Sequence, residues 1–467
     1  MVIKTGDLVS SLSHCRLSGE RRARSFRRVS IDSRQARQGD LFLALRGDRH
    51  DGHDFIQEAR RRGARGFVVS RPIKAADGRL QVFEVPDTRM ALREMAAKVR
   101  SDFEGSVVGI TGSNGKTTTK EMAGNILSRR FHVHRSPGNH NNLIGLPLSI
   151  LEAKKDAEWM VLEMASNAPG EISILSRIAR PHWAIITNIS EVHLEGFGNL
   201  LGVLKEKTSI LDGIEPGRTL IINGDDPSLK STIRGSGVKF ATFGLRRGND
   251  VFPVDYSVRG DGKVSFCVEK GPRVDLPLIG FYSLQNALAA YALGLQVGLS
   301  HEEIKEGLEM PVYQSMRMEV RRENDVMFIM DCYNANPRSM YLAAETLSLM
   351  EGDGRKILVL GDMFELGEGS ARLHRELGKR LSLLDLDAVV TVGELGALVS
   401  RAIRDEDQRR GRHREVIDAM KFSEARRQLL KLLRGGDIIL FKASRGVRME
   451  KLFEMVRSRM KKGRSRR

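Results

Sequence analysis

Short apolar runs separated by longer amphipathic stretches give this chain its rhythm. Val107 and Val108, Trp159 to Leu162, Ala184 to Ile186 and Thr219 to Ile222 are such runs. Strands buried on both faces of a parallel sheet have this pattern, without polar alternation. Between the runs, apolar residues recur at helical spacing, as at Met122, Ala123, Ile126 and Leu127. The alternation predicts a central parallel sheet covered by helices over residues 99–312. Ahead of it, residues 40–45 and 66–70 predict strands around a helix at 55–62. These form a small N-terminal α/β domain, 1–98, with a further helix from about 88 to 101 leading into the central domain. Residues 249–279 predict β-hairpins with a turn at Gly260-Asp261-Gly262, and Gly280 opens a helix to about Val297. Beyond Pro311, strands at 326–330, 356–360, 388–392 and 437–441 predict a C-terminal Rossmann-like α/β domain, 313–467. The expectation is α/β in three domains with separate cores, joined by thin linkers near 98 and 312. The tail from Lys461 is expected to fray.

Composition narrows the class. The chain has 467 residues, 41% hydrophobic and 29% charged, ordinary for a globular protein. Its net charge of +17 gathers in arginine patches at 16–28, 401–414 and 457–467. Such charge suits nucleic acid, anionic small substrates or an acidic surface. With 18 Phe, 6 Tyr and 2 Trp, no basic segment carries the aromatic residues that stack bases, so nucleic acid is not expected. Cys15, Cys267 and Cys332 lie far apart, with neither metal-ligand spacing nor a disulfide framework. No apolar run reaches the ~18 residues of a membrane span. A cytoplasmic, monomeric protein without membrane insertion is expected.

The chemistry centres on residues 109–119. A glycine-rich turn there, Thr111-Gly112-Ser113-Asn114-Gly115-Lys116-Thr117-Thr118, joins a strand to a helix. Glycines let main-chain N–H groups close on phosphate oxygens, and the helix N-terminus adds positive potential. Lys116 supplies a cation, and Thr117 offers a hydroxyl to magnesium. The longer phosphate-loop pattern fails, because its first glycine position holds Ile110. Ligands of open parallel sheets sit at the strands' carboxyl ends, which places Thr117, Glu163 and His193 within reach of one site. Asn286, at the start of its helix, reads as a contact to an adenine edge or as a helix cap.

Together these segments resemble the Mur ligases, which build the peptide of bacterial cell-wall precursors. The resemblance rests on 111–118, on 187–196 with His193, on 286–290, on 331–337 with its Tyr333-Asn334-Ala335-Asn336-Pro337, on 361–367 and on 138–147. It covers nearly the whole chain and is nearest to the ligases that act last in the series. It implies ATP-dependent ligation of D-alanyl-D-alanine to UDP-N-acetylmuramoyl-tripeptide through an acyl phosphate, giving the pentapeptide precursor of peptidoglycan. Related alternatives are the ligase adding the third residue and a folylpolyglutamate synthetase-like enzyme. A nucleotide switch that binds nucleic acid is a further one.

What the resemblance implies for residues is specific. Gly112, Ser113, Asn114, Gly115, Lys116, Thr117, Thr118, Asn286, Arg317 and Asp331 would hold ATP. Thr117, Glu163, His193 and Lys207 would hold Mg2+, with Lys207 carbamylated. Lys116, His193 and Lys207 would be catalytic. Ser33, Arg34, Asn141, Asn142 and the Asp51-Gly52-His53 loop would serve the sugar-nucleotide substrate. Read from residues alone, Lys207 is one of two surface lysines around Glu206, and His193 is a capping or core histidine.

Overall fold

The structure is a computed structural model describing residues 3–18, 25–47, 49–73, 80–352 and 354–464; of Ile3 and 461–464 it describes the backbone alone. Part of the first arginine patch, Asp48 and the last three residues lie outside the described residues.

The apolar runs become strands where expected. In the central sheet, all strands parallel, the order is Lys239–Phe243, Thr219–Asn223, Trp183–Ile186, Ser106–Thr111, Trp159–Glu163, Val133–Arg135. The strand Trp159–Glu163 is buried throughout, which is why its sequence shows no alternation. A three-stranded antiparallel sheet spans Pro253–Val258, Lys263–Val268 and Val274–Ile279. The C-terminal sheet is ordered Glu319–Glu323, Val326–Asp331, Ile438–Lys442, Lys356–Gly361, Ala388–Val392, Glu415–Ala419, the first strand antiparallel. The N-terminal sheet is mainly parallel, through Val29–Ser30, Leu41–Leu43, Gly66–Val69 and Gln81–Glu84.

Gln81–Glu84, interior in the N-terminal sheet and largely buried, is a strand that the pattern does not predict. In the central and C-terminal sheets, the strands that it misses are edge strands. Val133–Arg135, Lys239–Phe243, Glu319–Glu323 and Glu415–Ala419 are only partly buried, so they tolerate the charges that hide them. The last helix, Glu450–Arg464, continues past Lys461 rather than fraying there.

A second expectation, of thin linkers between separate cores, is overturned at residue 98. The helix Thr88–Ser101 runs through residue 98, capped by Asp87, whose carboxylate accepts from the Arg89 N–H at 2.7 Å. Its apolar side packs on the helix Gly145–Leu151 of the central domain. A single apolar cluster therefore extends from Phe26 and Leu41 through Leu92, Met95 and Val99 to Leu146, Met160 and Ile172. The first two domains share a core; no thin linker separates them at 98. The junction near 312 is different. After the helix His301–Leu308 the chain runs without regular structure to Glu319. Met316 and Met318 hold φ of 58° and 50° there, a left-handed conformation costly for these residues. Among the described residues, no helix is long and apolar enough to cross a membrane.

Candidate active site

The phosphate loop is held by what its glycines allow. Gly112 has φ 137°, and a Cβ there would lie 2.1 Å from Thr187 Oγ1. Gly115, at φ 81°, caps the helix Lys116–Leu127, and a Cβ there would meet Asn286 Oδ1 at 2.1 Å. Thus Asn286 does not cap its own helix. That helix, Tyr282–Gln296, starts earlier, and Asn286 turns toward the loop with its Nδ2 donor buried and without a partner among the described residues. Lys116 Nζ donates to Gly112 O at 2.8 Å and Ser113 O at 3.1 Å. Burial holds its pKa down to about 8, with Glu163 opposing and Arg317 adding to the shift. Ser113 Oγ accepts from the Ser190 N–H at 2.9 Å, and Asn188 Oδ1 accepts from the Asn114 N–H at 3.1 Å. Thr118 Oγ1 donates to Gln314 Oε1 at 3.2 Å.

Glu163 ends its strand beside this loop. Thr117 Oγ1 lies 3.2 Å from Glu163 Oε1, and Asn141 Nδ2 donates to the same oxygen at 2.7 Å. Glu163 Oε2 is buried with no hydrogen-bond partner among the described residues. Asn141 is carried by a loop that a fully buried lysine fastens: Lys120 Nζ donates to Ser136 O at 2.7 Å and Gly138 O at 3.2 Å. No motif pointed to Lys120; one helical turn beyond Lys116, it follows a run of three threonines.

His193 precedes the short helix Leu194–Phe197 at φ 50°, and its side chain caps nothing. Nδ1 lies against the Glu365 carboxylate of the C-terminal domain. Desolvation lowers the His193 pKa, while Glu365 opposes the shift. Lys207 is no surface lysine. It is 1% exposed, donates to Ser166 Oγ at 2.8 Å and lies 5.4 Å from the Phe197 ring centre. The exposed member of the pair is Lys205. Burial, with Lys116 nearby, holds the Lys207 pKa down to about 7. Lys207 does not line the cavity, although Ala165 and Asn167, the neighbours of its partner Ser166, do.

The C-terminal domain completes the cavity. Arg317 donates to Thr117 Oγ1 at 3.2 Å and lies 4.2 Å over the Tyr333 ring. Asn336 Nδ2 donates to Asn114 Oδ1 at 2.7 Å, while Asn336 Oδ1 caps the helix Pro337–Leu349 through the Ser339 N–H. Asp331 pairs with Lys442 at 2.6 Å. The result is one cavity of about 490 Å3 between the carboxyl edges of two sheets. Its walls include Ser113 to Thr118, Asn141, Glu163, His193, Asn286, Arg317 and Asp331.

Other candidates lie elsewhere. The Ser33 hydroxyl donates to Glu58 Oε2 at 2.7 Å, and Arg34 forks onto Asp32 at 2.8 and 2.9 Å. His53 has both ring nitrogens engaged, Nδ1 with Asp51 at 2.6 Å and Nε2 accepting from the Ser70 N–H at 2.9 Å. Asn142 Oδ1 accepts from the Ile144 and Gly145 N–H groups, which fixes a turn. None of these lines the cavity. Glu365 and Asn336 sit in motifs legible in the sequence, but their contacts with His193 and Asn114 across the domains are not.

Known proteins match this arrangement along the whole chain. The Mur ligase family catalytic domain matches residues 25–100, the Mur ligase middle domain 110–294, and the Mur ligase glutamate ligase domain 316–445. The UDP-N-acetylmuramoyl-tripeptide–D-alanyl-D-alanine ligase of Bacillus subtilis is 35% identical over 91% of this chain and 92% of its own. That of Escherichia coli is 34% identical over 93% and 94%. The crystal structure of MurF from Acinetobacter baumannii aligns at TM-score 0.89 and 32% identity, over 98% of this chain and 99% of that one. MurF ligase from Thermotoga maritima, in complex with ADP, aligns at TM-score 0.81 and 32% identity, over 93% and 98%. With three family domains in order and whole-length relatives at this identity, the chain belongs to the Mur ligases, in the group of the UDP-N-acetylmuramoyl-tripeptide–D-alanyl-D-alanine ligases.

Proposed function

We propose that the chain joins D-alanyl-D-alanine to UDP-N-acetylmuramoyl-tripeptide with ATP, giving the pentapeptide precursor for peptidoglycan. The observation that carries this reading is the single cavity in which phosphate-loop residues face Arg317 and Asp331 of another domain. A carboxylate is a poor electrophile. Transfer of the γ-phosphoryl group to the tripeptide's terminal carboxylate makes an acyl phosphate. The dipeptide amine then attacks the carbonyl carbon, the C–O bond to phosphate breaks, and phosphate and one proton leave. Two anions must meet in the first step, so the site needs concentrated positive charge. Lys116 supplies it at the phosphate loop and Arg317 from across the cavity.

Magnesium fits the oxygen donors here. Thr117 Oγ1 and Glu163 Oε1 lie together, and the buried Glu163 Oε2 lacks any partner among the described residues. The ion, when bound, neutralises phosphate charge; Thr117 and Glu163 are proposed to hold it, and His193 a second one. Lys207 is proposed to carry a carbamate. A lysine whose pKa burial holds near 7 is substantially neutral at cellular pH. Its amine adds to carbon dioxide, forming an N–C bond and releasing a proton. The product is an anion where an ammonium would oppose Lys116.

The domain roles follow from the division 1–98, 99–312 and 313–467. The first would bind the sugar nucleotide, with Ser33, Arg34 and the Asp51-Gly52-His53 loop as candidates; the second would bind ATP and add Asn141 and Asn142 toward that substrate; and the third would bring the dipeptide. The basic composition suits two anionic substrates, and the free thiols suit a cytoplasmic setting.

Two measurements test this reading. Phosphate release from ATP with UDP-N-acetylmuramoyl-tripeptide is expected to depend on D-alanyl-D-alanine; indifference to the dipeptide would sink the proposal. Domain motion is expected at 309–318 alone, because the first two domains share a core. Solution scattering should therefore show compaction when a non-hydrolysable ATP analogue and the sugar nucleotide bind. Labels within 1–308 should keep their spacing while distances to the third domain shorten. Shortening across residue 98 would contradict the shared core.

A further inference from the structure

The phosphate loop is reached from the C-terminal domain by Gln314, by Arg317 and by one short stretch. Residues 332–336 follow the strand Val326–Asp331 and precede the helix Pro337–Leu349, with no regular structure of their own. Tyr333 supports Arg317, which reaches Thr117, and Asn336 reaches Asn114. A stretch without ladder or helix bonds needs another source of shape.

Lys442 supplies it. It ends the neighbouring parallel strand Ile438–Lys442, in register with Asp331. Its Nζ lies 2.6 Å from Asp331 Oδ2, 3.1 Å from Asn334 O and 3.5 Å from Asp331 O. The side chain is 3% exposed. An ammonium has three donors and no acceptor. All three acceptors belong to this stretch, one group at its start and one in its middle. A buried cation so placed draws the chain into a fixed curve, and the Asp331 carboxylate neutralises it.

We infer that Lys442 is a positioning residue for the nucleotide: it holds residues 331–336 in the curve that lets Tyr333, Arg317 and Asn336 close on the phosphate loop. It acts through that stretch, since its donors are taken by the chain itself. The inference rests on reading the cavity as an ATP site.

The test compares wild type, Lys442→Met and Lys442→Arg by calorimetric titration with ADP and by steady-state kinetics. Lys442→Met keeps the stem and removes charge and donors. It should weaken ADP binding and raise KM for ATP by about tenfold or more, the scale of a charged hydrogen bond. KM for UDP-N-acetylmuramoyl-tripeptide should stay within about twofold, because that substrate meets the other domains. Lys442→Arg, which keeps the pair with Asp331, should recover most of the ADP affinity. If Lys442→Met does not fold, Lys442→Gln, which retains donors without charge, takes its place with the same expectation. Unchanged ADP affinity, or a fall in kcat with both KM values intact, would overturn the inference, since a lysine serving stability alone changes only the fraction of active enzyme. The ADP titration needs neither peptide substrate. A wild type without dipeptide-dependent turnover would therefore sink the ligase reading while the titration still decides the role of Lys442.

Discussion

Lys116→Ala should abolish ligation, by ~10³-fold or more in kcat, while the chain folds as before. Both halves come from the same geometry. Lys116 Nζ is buried against Gly112 O and Ser113 O, where desolvation depresses its pKa to about 8. Removing a cation that burial disfavours relieves the folded state, which offsets the two hydrogen bonds lost. The melting temperature should therefore move by no more than a few degrees. Two anions would then approach one another without the loop's own cation, with Arg317 reaching the loop from the C-terminal domain. Turnover close to wild type, measured as phosphate release in a correctly folded variant, would remove this loop from the chemistry.

Lys207→Ala should lose nearly all activity, for a different reason. The proposed carbamate presents an anion in the buried surroundings of Ser166 and Phe197. Lys207→Arg should not rescue, because a guanidinium stays charged and does not form a carbamate. Acetate or formate added to Lys207→Ala should restore part of the turnover by filling the vacated space. Lys207→Met keeps the buried stem and removes the amine, so its melting temperature should equal or exceed that of wild type. The modification has its own signature: protein equilibrated with carbon-13 bicarbonate should give a carbamate resonance that Lys207→Met lacks. Wild-type turnover should fall in decarbonated buffer and return with bicarbonate. Normal activity in Lys207→Ala would discard the modified lysine at this position.

Local pattern carried the elements whose surroundings are uniform. The helix Thr88–Ser101 is legible because its apolar face repeats at helical spacing behind the Asp87 cap. The strand Trp159–Glu163 is legible because burial on both faces leaves an unbroken apolar run. Glu319–Glu323 escaped because an edge strand needs only one buried face, and its charges read as a loop. At the site, the phosphate loop announces itself because contiguous residues create it. Asn114 and Asn336 do not, since their contact joins positions 222 residues apart. Lys207 looked like a surface lysine beside Lys205; which of two alternate residues faces inward depends on where the helix Leu200–Thr208 packs. The shared core across residue 98 was equally hidden. A hydrophobic face records that something covers it, not which domain does so.

The seam between Asn114 and Asn336 also sets how faithfully the protein spends its nucleotide. An acyl phosphate left in contact with bulk solvent hydrolyses, returning the tripeptide unchanged with ATP consumed. On that side the Asn114–Asn336 contact joins the phosphate loop to the C-terminal domain, and the motion expected at 309–318 would open it. Ligation and wasteful hydrolysis therefore compete on the time for which the seam stays shut. The futile cycle measured without dipeptide is a direct gauge of that time, and a looser seam would betray itself as leak before it appeared as lost product.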